Sequence, residues 1–229
     1  VPILFDVILH MGTLVVILMF FRKKIGRILS SAASLDFRSE YGSLVPLILV
    51  GTIPTVLIGG VFGRIIEDTF HYFTAIGFAF IFCGTVLHIS KYKKTKTAKI
   101  GYSTAIAMGV AQGLAIIPGI SRSGITIAVA LLLGIKQSKA FEFSFLLSVP
   151  AILGALAYTT LTEFGELAAT GLRWEETVMG VLLSMLIGYL ALRLLRKALA
   201  KRKFHLFAFY CWILGVLLLV ADQPFGFSI

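Results

Sequence analysis

Six stretches of this chain are each long and apolar enough to cross a bilayer, and that leaves few folds open to it. They run over residues 3–21, 43–63, 71–90, 141–161, 177–195 and 204–221, named here A, B, C, A′, B′ and C′. A hydrocarbon core of ~30 Å is spanned by about 20 residues at ~1.5 Å each. Lipid offers no partner for backbone polar groups, so such segments satisfy them internally as helices. With 58% hydrophobic and 14% charged residues the chain is too apolar for a soluble domain. The expected class is therefore all-α: a polytopic membrane protein.

A formal net charge of +10 raises the question of nucleic acid. The basic residues gather instead in short runs between apolar stretches: Arg22-Lys23-Lys24, Lys91 to Lys99 and Arg193 to Lys203. Such runs read as cytoplasmic loops, and no nucleic-acid partner is expected. Cys83 and Cys211 lie inside apolar stretches, outside any CxxC or Cys/His grouping, and read as buried thiols.

Between C and A′ the pattern changes. The stretch Pro118-Gly119-Ile120-Ser121-Arg122-Ser123-Gly124 sets an arginine between hydroxyls and glycines inside an otherwise apolar run. An arginine at membrane depth costs about 3 kcal/mol or more unless an anion or hydrogen-bonding groups meet it. Pro118 and Gly119 stop one helical run, and Ser121, Ser123 and Gly124 start another, which aims backbone amides into the gap. This is the arrangement of an anion site. The two arms, 103–117 and 124–134, are each too short to cross, so the stretch reads as a re-entrant hairpin with its tip buried in protein.

Charge bias agrees. If the hairpin returns to the side it entered from, the basic runs after A, C and B′ all fall inside, with Lys136 and Lys139. The loop with Glu163, Glu166, Arg173, Glu175 and Glu176 then lies outside, as does Asp222. The halves also resemble one another. Phe5-Asp6 opens A as Phe141-Glu142 opens A′. Leu57-Ile58-Gly59 with Arg64 matches Leu186-Ile187-Gly188 with Arg193, and Phe70-His71-Tyr72-Phe73 resembles Phe204-His205-Leu206-Phe207. With A, B and C crossing opposite to A′, B′ and C′, this is an inverted-topology repeat: residues 1–99 as three spans, residues 100–229 as the hairpin plus three spans. By that symmetry, about 40 residues with a second hairpin are expected before Val1, where the chain opens without an initiator methionine.

Other candidates are fewer. His10 lies one turn from Asp6 in A, where it either carries a proton for the site or is simply hydrogen-bonded in the bundle. Pro54 and Pro150 read as kinks shaping a cavity. His71, His88 and His205 read as interfacial, and Glu142 as an ion-pair partner of Lys139. No metal-ligand cluster, Walker loop or Ser/His/Asp set is present.

Gln112-Gly113, the Pro118 to Gly124 motif with Thr126, and Glu142-Phe143-Ser144-Phe145-Leu146-Leu147-Ser148-Val149-Pro150 together resemble the second signature of the undecaprenyl-diphosphatase, or bacitracin-resistance, family. The resemblance extends to Leu9-His10-Met11-Gly12-Thr13-Leu14 and Gly51-Thr52-Ile53-Pro54, and so covers essentially the whole chain. It implies a cell-membrane enzyme whose site opens to the outer side. That enzyme hydrolyses a polyprenyl diphosphate carrier to the monophosphate for cell-envelope synthesis, using a divalent cation, magnesium or calcium. It implies active-site roles for Ser121, Arg122 and Thr126. Gly119, Ser123 and Gly124 join them as the cradle, and Gln112 and His10 as further substrate-binding candidates. The family's other, glutamate-rich signature precedes its counterpart of A and has no match in this chain, so the metal ligands are expected to lie outside it and the chain alone is expected to be inactive. A second copy of the chain is a further candidate partner.

The chemistry of the residues fits this expectation. Arg122 offers a planar fork to phosphate oxygens, hydroxyls add contacts, and phosphoryl transfer needs chiefly positioning and charge neutralisation. Ser121 is either a nucleophile or a phosphate donor to an attack by water. A transporter or flippase of an anionic polyprenyl lipid is the alternative, because broken helices in inverted repeats are also a transporter architecture.

Overall fold

The computed structural model describes residues 3–69, 73–93, 97, 99–162 and 174–225, and the regular elements within them are helical. They are α1 (Ile3–Ala33), α2 (Leu44–Thr69), α3 (Phe73–Ile89), α4 (Tyr102–Leu114), α5 (Arg122–Leu132), α6 (Gln137–Thr162), α7 (Trp174–Ala200) and α8 (Phe207–Phe225). Single 3-10 turns at Ser90–Tyr92 and Phe204–Leu206 follow α3 and precede α8. Among the described residues five spans are long and apolar enough to cross a membrane: Leu44–Gly63, Phe73–Tyr92, Gln137–Thr159, Thr177–Ala200 and Phe204–Ala221. These correspond to B, C, A′, B′ and C′. Stretch A is the start of α1, which is not among the five.

Two basic runs differ from expectation. Arg22-Lys23-Lys24 lies within α1, which continues unbroken to Ala33, and the Arg193 run stays helical to Ala200. Lysine and arginine are good helix formers, so a helix leaving the apolar layer has no local reason to stop at a charge. The loop with Glu163, Glu166 and Arg173, as well as His71 and Lys94 to Lys96, lies outside the described residues.

The chain divides into two compact units, each built from two separate stretches of the sequence. The first comprises Val1–Val45 and Ser148–Arg196. In it α1 meets α7 closely at Gly12, where an added Cβ would sit 3.1 Å from the Val181 carbonyl, and the Ser184 hydroxyl donates to the Leu9 carbonyl at 2.8 Å. The Arg196 guanidinium lies 5.7 Å from the centre of the Phe20 ring, and Arg27 donates to the Tyr41 hydroxyl at 2.8 Å.

The second unit comprises Pro46–Leu147 and Lys197–Ile229 and contains the central stretch. Here α3 packs along α8 through small residues: a Cβ at Gly77 would lie 3.0 Å from the Gly215 carbonyl, and one at Gly215 2.8 Å from that of Gly77. Helices in lipid gain no hydrophobic drive to associate, so close backbone approach of this kind does much of the holding. Cys83 and Cys211 face each other across the same seam as buried free thiols within hydrogen-bonding reach.

Between α3 and α6 the chain folds back on itself. Helices α4 and α5 have 13 and 11 residues, about 20 Å and 16 Å of rise, and they pack against each other. Their outer ends are tied together: the Thr97 amide donates to the Gly134 carbonyl at 3.1 Å and the Lys136 amide to the Thr97 carbonyl at 2.9 Å. The segment therefore enters and leaves at one place. Gly134, at φ +84°, closes α5 with Ile135 N–H bonded to the Ala130 carbonyl, the left-handed cap that glycine permits.

Candidate anion-binding site

The junction of α4 and α5 is built by its sequence. Helix α4 ends in tightening turns, with the Ile116 amide donating to the Gly113 carbonyl and the Ile117 amide to that of Leu114. The Ile120 amide then bonds back to the Ile117 carbonyl at 3.1 Å, closing a turn with Pro118 second and Gly119 third. Gly119 has φ +94°, the conformation the third position of a type II turn demands. There is no space for a side chain either, since a Cβ would lie 2.8 Å from the Ile76 carbonyl and 3.2 Å from the Ala79 Cβ of α3.

After the turn, Ser121 caps α5: its hydroxyl oxygen accepts from the Gly124 amide at 3.2 Å, and its carbonyl accepts from Ile125 at 2.8 Å. The cap leaves the hydroxyl proton of Ser121, which is exposed, available to an acceptor. Arg122 and Ser123, both half-buried, form the first turn of the helix, where backbone amides lack intrahelical partners and the dipole favours negative charge. The Arg122 guanidinium makes no hydrogen bond or ion pair among the described residues. One helical turn thus gathers Ser121, Arg122, Ser123 and Gly124 around an uncompensated cation, directly after the Gly119 turn.

Two expected residues sit deeper. Thr126 has no exposed surface; its hydroxyl lies 2.9 Å from the Arg122 carbonyl and 2.5 Å from the Ser144 hydroxyl of α6. Gln112 is 2% exposed, and its amide nitrogen donates to the Thr55 hydroxyl at 3.3 Å and to the Leu147 carbonyl at 3.4 Å. Thr55 in turn donates to the Gly109 carbonyl at 2.9 Å. His10 belongs to α1 in the other unit, and its side chain is exposed. From sequence Ser144 entered only as part of the Glu142 to Pro150 signature, without a role, and Thr55 not at all: a single hydroxyl in an apolar helix carries no periodic signal, and their partners are 18 and 57 residues away.

Among the described residues no group of three or more His, Cys, Asp or Glu side chains is placed to hold a metal ion, and the junction itself is cationic. These residues do not fit a divalent-cation site.

An all-helical membrane protein with a broken-helix hairpin presenting an arginine, a capping serine and open amides is the class that fold and site define. Its relatives agree. Residues 2–217 match the family described as Bacitracin resistance protein BacA. An undecaprenyl-diphosphatase of Carboxydothermus hydrogenoformans is 41% identical over 223 residues, covering 95% of this chain and 82% of that protein. That of Halothermothrix orenii is 38% identical over 222 residues, with 94% and 82% covered. The undecaprenyl-diphosphatase of Methanothermobacter thermautotrophicus is 39% identical over 181 residues, with 76% and 98% covered. The chain belongs to the bacitracin-resistance protein family.

Proposed function

We infer that this chain carries the phosphate cradle of a membrane phosphatase hydrolysing undecaprenyl diphosphate to the monophosphate and inorganic phosphate. The family and its relatives' names support the activity. They favour hydrolysis over transport. The observation that ties the activity to residues is Arg122: a half-buried guanidinium without a partner among the described residues, on the first turn of a helix whose amides are open. A diphosphate supplies what that turn lacks.

In this reading Arg122 takes two phosphate oxygens in its fork, the Ser121 hydroxyl donates to a third, and the Arg122 and Ser123 amides complete the shell. Water bonds to the terminal phosphorus and gives up its proton to solvent as the bond from that phosphorus to the bridging oxygen breaks, so inorganic phosphate and the lipid monophosphate are the products. Charge moving onto that oxygen is met by donors already in place, which is where catalytic stabilisation is largest. Gly119 lets the turn lie against α3 and Gly124 leaves room for the Ser121 cap, which together place the first turn of α5 for this. A divalent cation, expected from the family, would need ligands other than the residues described, and no step is derived through one.

The finer architecture belongs to the same reading: six spans in inverted halves, α4 and α5 as a re-entrant hairpin with its paired ends on the cytoplasmic side, and a site opening outward in the cell membrane. The shortness of α4 and α5 and the tie between Thr97 and Gly134 support the hairpin. The test is phosphate release from undecaprenyl diphosphate by the full-length protein, with magnesium or calcium and then with chelator. Metal-dependent release is the expected result; its absence, with binding of the lipid retained, would transfer the site to transport.

A further inference from the structure

Thr126 and Ser144 form a buried polar link between α5 and α6. Their oxygens are 2.5 Å apart, with Thr126 0% and Ser144 2% exposed. A threonine hydroxyl has one hydrogen, and carbonyls of its own helix lie within reach of it, Arg122 at 2.9 Å and Ser123 at 3.2 Å. If Thr126 gave its hydrogen to Ser144, the serine hydrogen would be left buried without an acceptor among the described residues. The arrangement that satisfies both hydroxyls runs one way: Ser144 donates to Thr126, and Thr126 donates to the Arg122 carbonyl.

That chain ends on the residue whose guanidinium and amide face the proposed phosphate. The 11-residue α5 packs on α3 and α4 with most of its buried residues apolar, and apolar contacts are not directional. A directional bond between helices in a low-dielectric interior adds a constraint on the rotation of α5 and on its register with α6. A further polar tie to α6, Gln112 to the Leu147 carbonyl, comes from α4, so each arm of the hairpin has a bond to α6, about one helical turn apart.

We propose that Ser144 is a positioning residue for the phosphate cradle: through Thr126 it holds the first turn of α5, and with it Arg122, in register for the terminal phosphate of the lipid diphosphate. The proposal rests on the hydrolytic reading above. Neither hydroxyl touches substrate. Their effect reaches the reaction only through the placement of Arg122 and the amides beside it, where an error of about 1 Å can cost on the order of 100-fold in rate.

The experiment is a double-mutant cycle in the full-length protein, reading kcat/KM for phosphate release from undecaprenyl diphosphate and the thermal midpoint in the same detergent. Ser144→Ala should lower kcat/KM by about 10-fold to 100-fold. Thr126→Val, isosteric but without the hydroxyl, should lower it at least as far. The pair together should be no worse than Thr126→Val alone, because the serine acts only through the threonine. Thr126→Ser should keep most of the activity. Ser144→Ala at wild-type kcat/KM, or losses that multiply in the pair and track the midpoint, would overturn the proposal. If Ser144→Ala does not fold, Thr126→Val against Thr126→Ser decides it, and equal activity of those two is the contradicting result. An inactive wild type would overturn the hydrolytic reading and this proposal with it.

Discussion

The carbonyl of Gly51 occupies the space that a side chain at Gly109 would need, so α2 and α4 meet backbone against backbone. Gln112 and its partner Thr55 sit one turn beyond that contact on the two helices, which makes the close approach a condition for their hydrogen bond.

Gly109→Ala should therefore force the helices apart. A loss of about 1–3 kcal/mol is expected for overpacking of this kind, seen as a lower thermal midpoint in detergent. Gly60→Ala on α2 is the control, since nothing lies within 4 Å of a Cβ there. Helix propensity alone should raise its stability by up to about 1 kcal/mol. Equal behaviour of the two variants would contradict the packing described.

Gly119→Ala separates the turn from the fold. A left-handed backbone costs an L-residue about 1–2 kcal/mol, and the Ile76 carbonyl blocks the new methyl, so the turn must shift and carry Ser121 and Arg122 with it. Protein that folds with a modestly lowered midpoint but loses about 100-fold in kcat/KM is the expected outcome. Near-normal turnover would show that the cradle does not depend on the turn.

Side of entry is tested by labelling. Single cysteines in place of Lys99 and Lys136, both exposed, should react with an impermeant maleimide only after the cells are permeabilised. Reaction in intact cells would put the paired ends of the hairpin outside and reverse its proposed orientation.

The break between α4 and α5 was legible because its chemistry is local. Proline and glycine end a helix, a serine begins one, and each acts within three residues of its own position, so Pro118, Gly119 and Ser121 announce the junction without knowledge of the fold. The apolar stretches were legible for the same reason, but their bounds were not: α6 starts four residues early at Gln137, α3 ends at Ile89, short of its expected bound, and α1 runs on to Ala33. What was not legible depends on pairing across distance. Ser144 becomes informative only when α6 lies beside α5, and Cys83 only when α3 lies beside α8. The Arg22 run was misread as a loop because charge marks depth in a membrane, not the end of a helix.

Arg122 carries the central claim, that this helix turn binds and neutralises a lipid diphosphate, and the most direct measurement compares kcat/KM for phosphate release by the full-length wild type, Arg122→Lys and Arg122→Ala. Lysine keeps the charge but loses the two-pronged fork, so Arg122→Lys should fall well below wild type. Arg122→Ala should fall by about 100-fold to 1000-fold, the scale for removing a donor aimed at developing charge. Folded Arg122→Ala protein that releases phosphate at the wild-type rate would contradict the account.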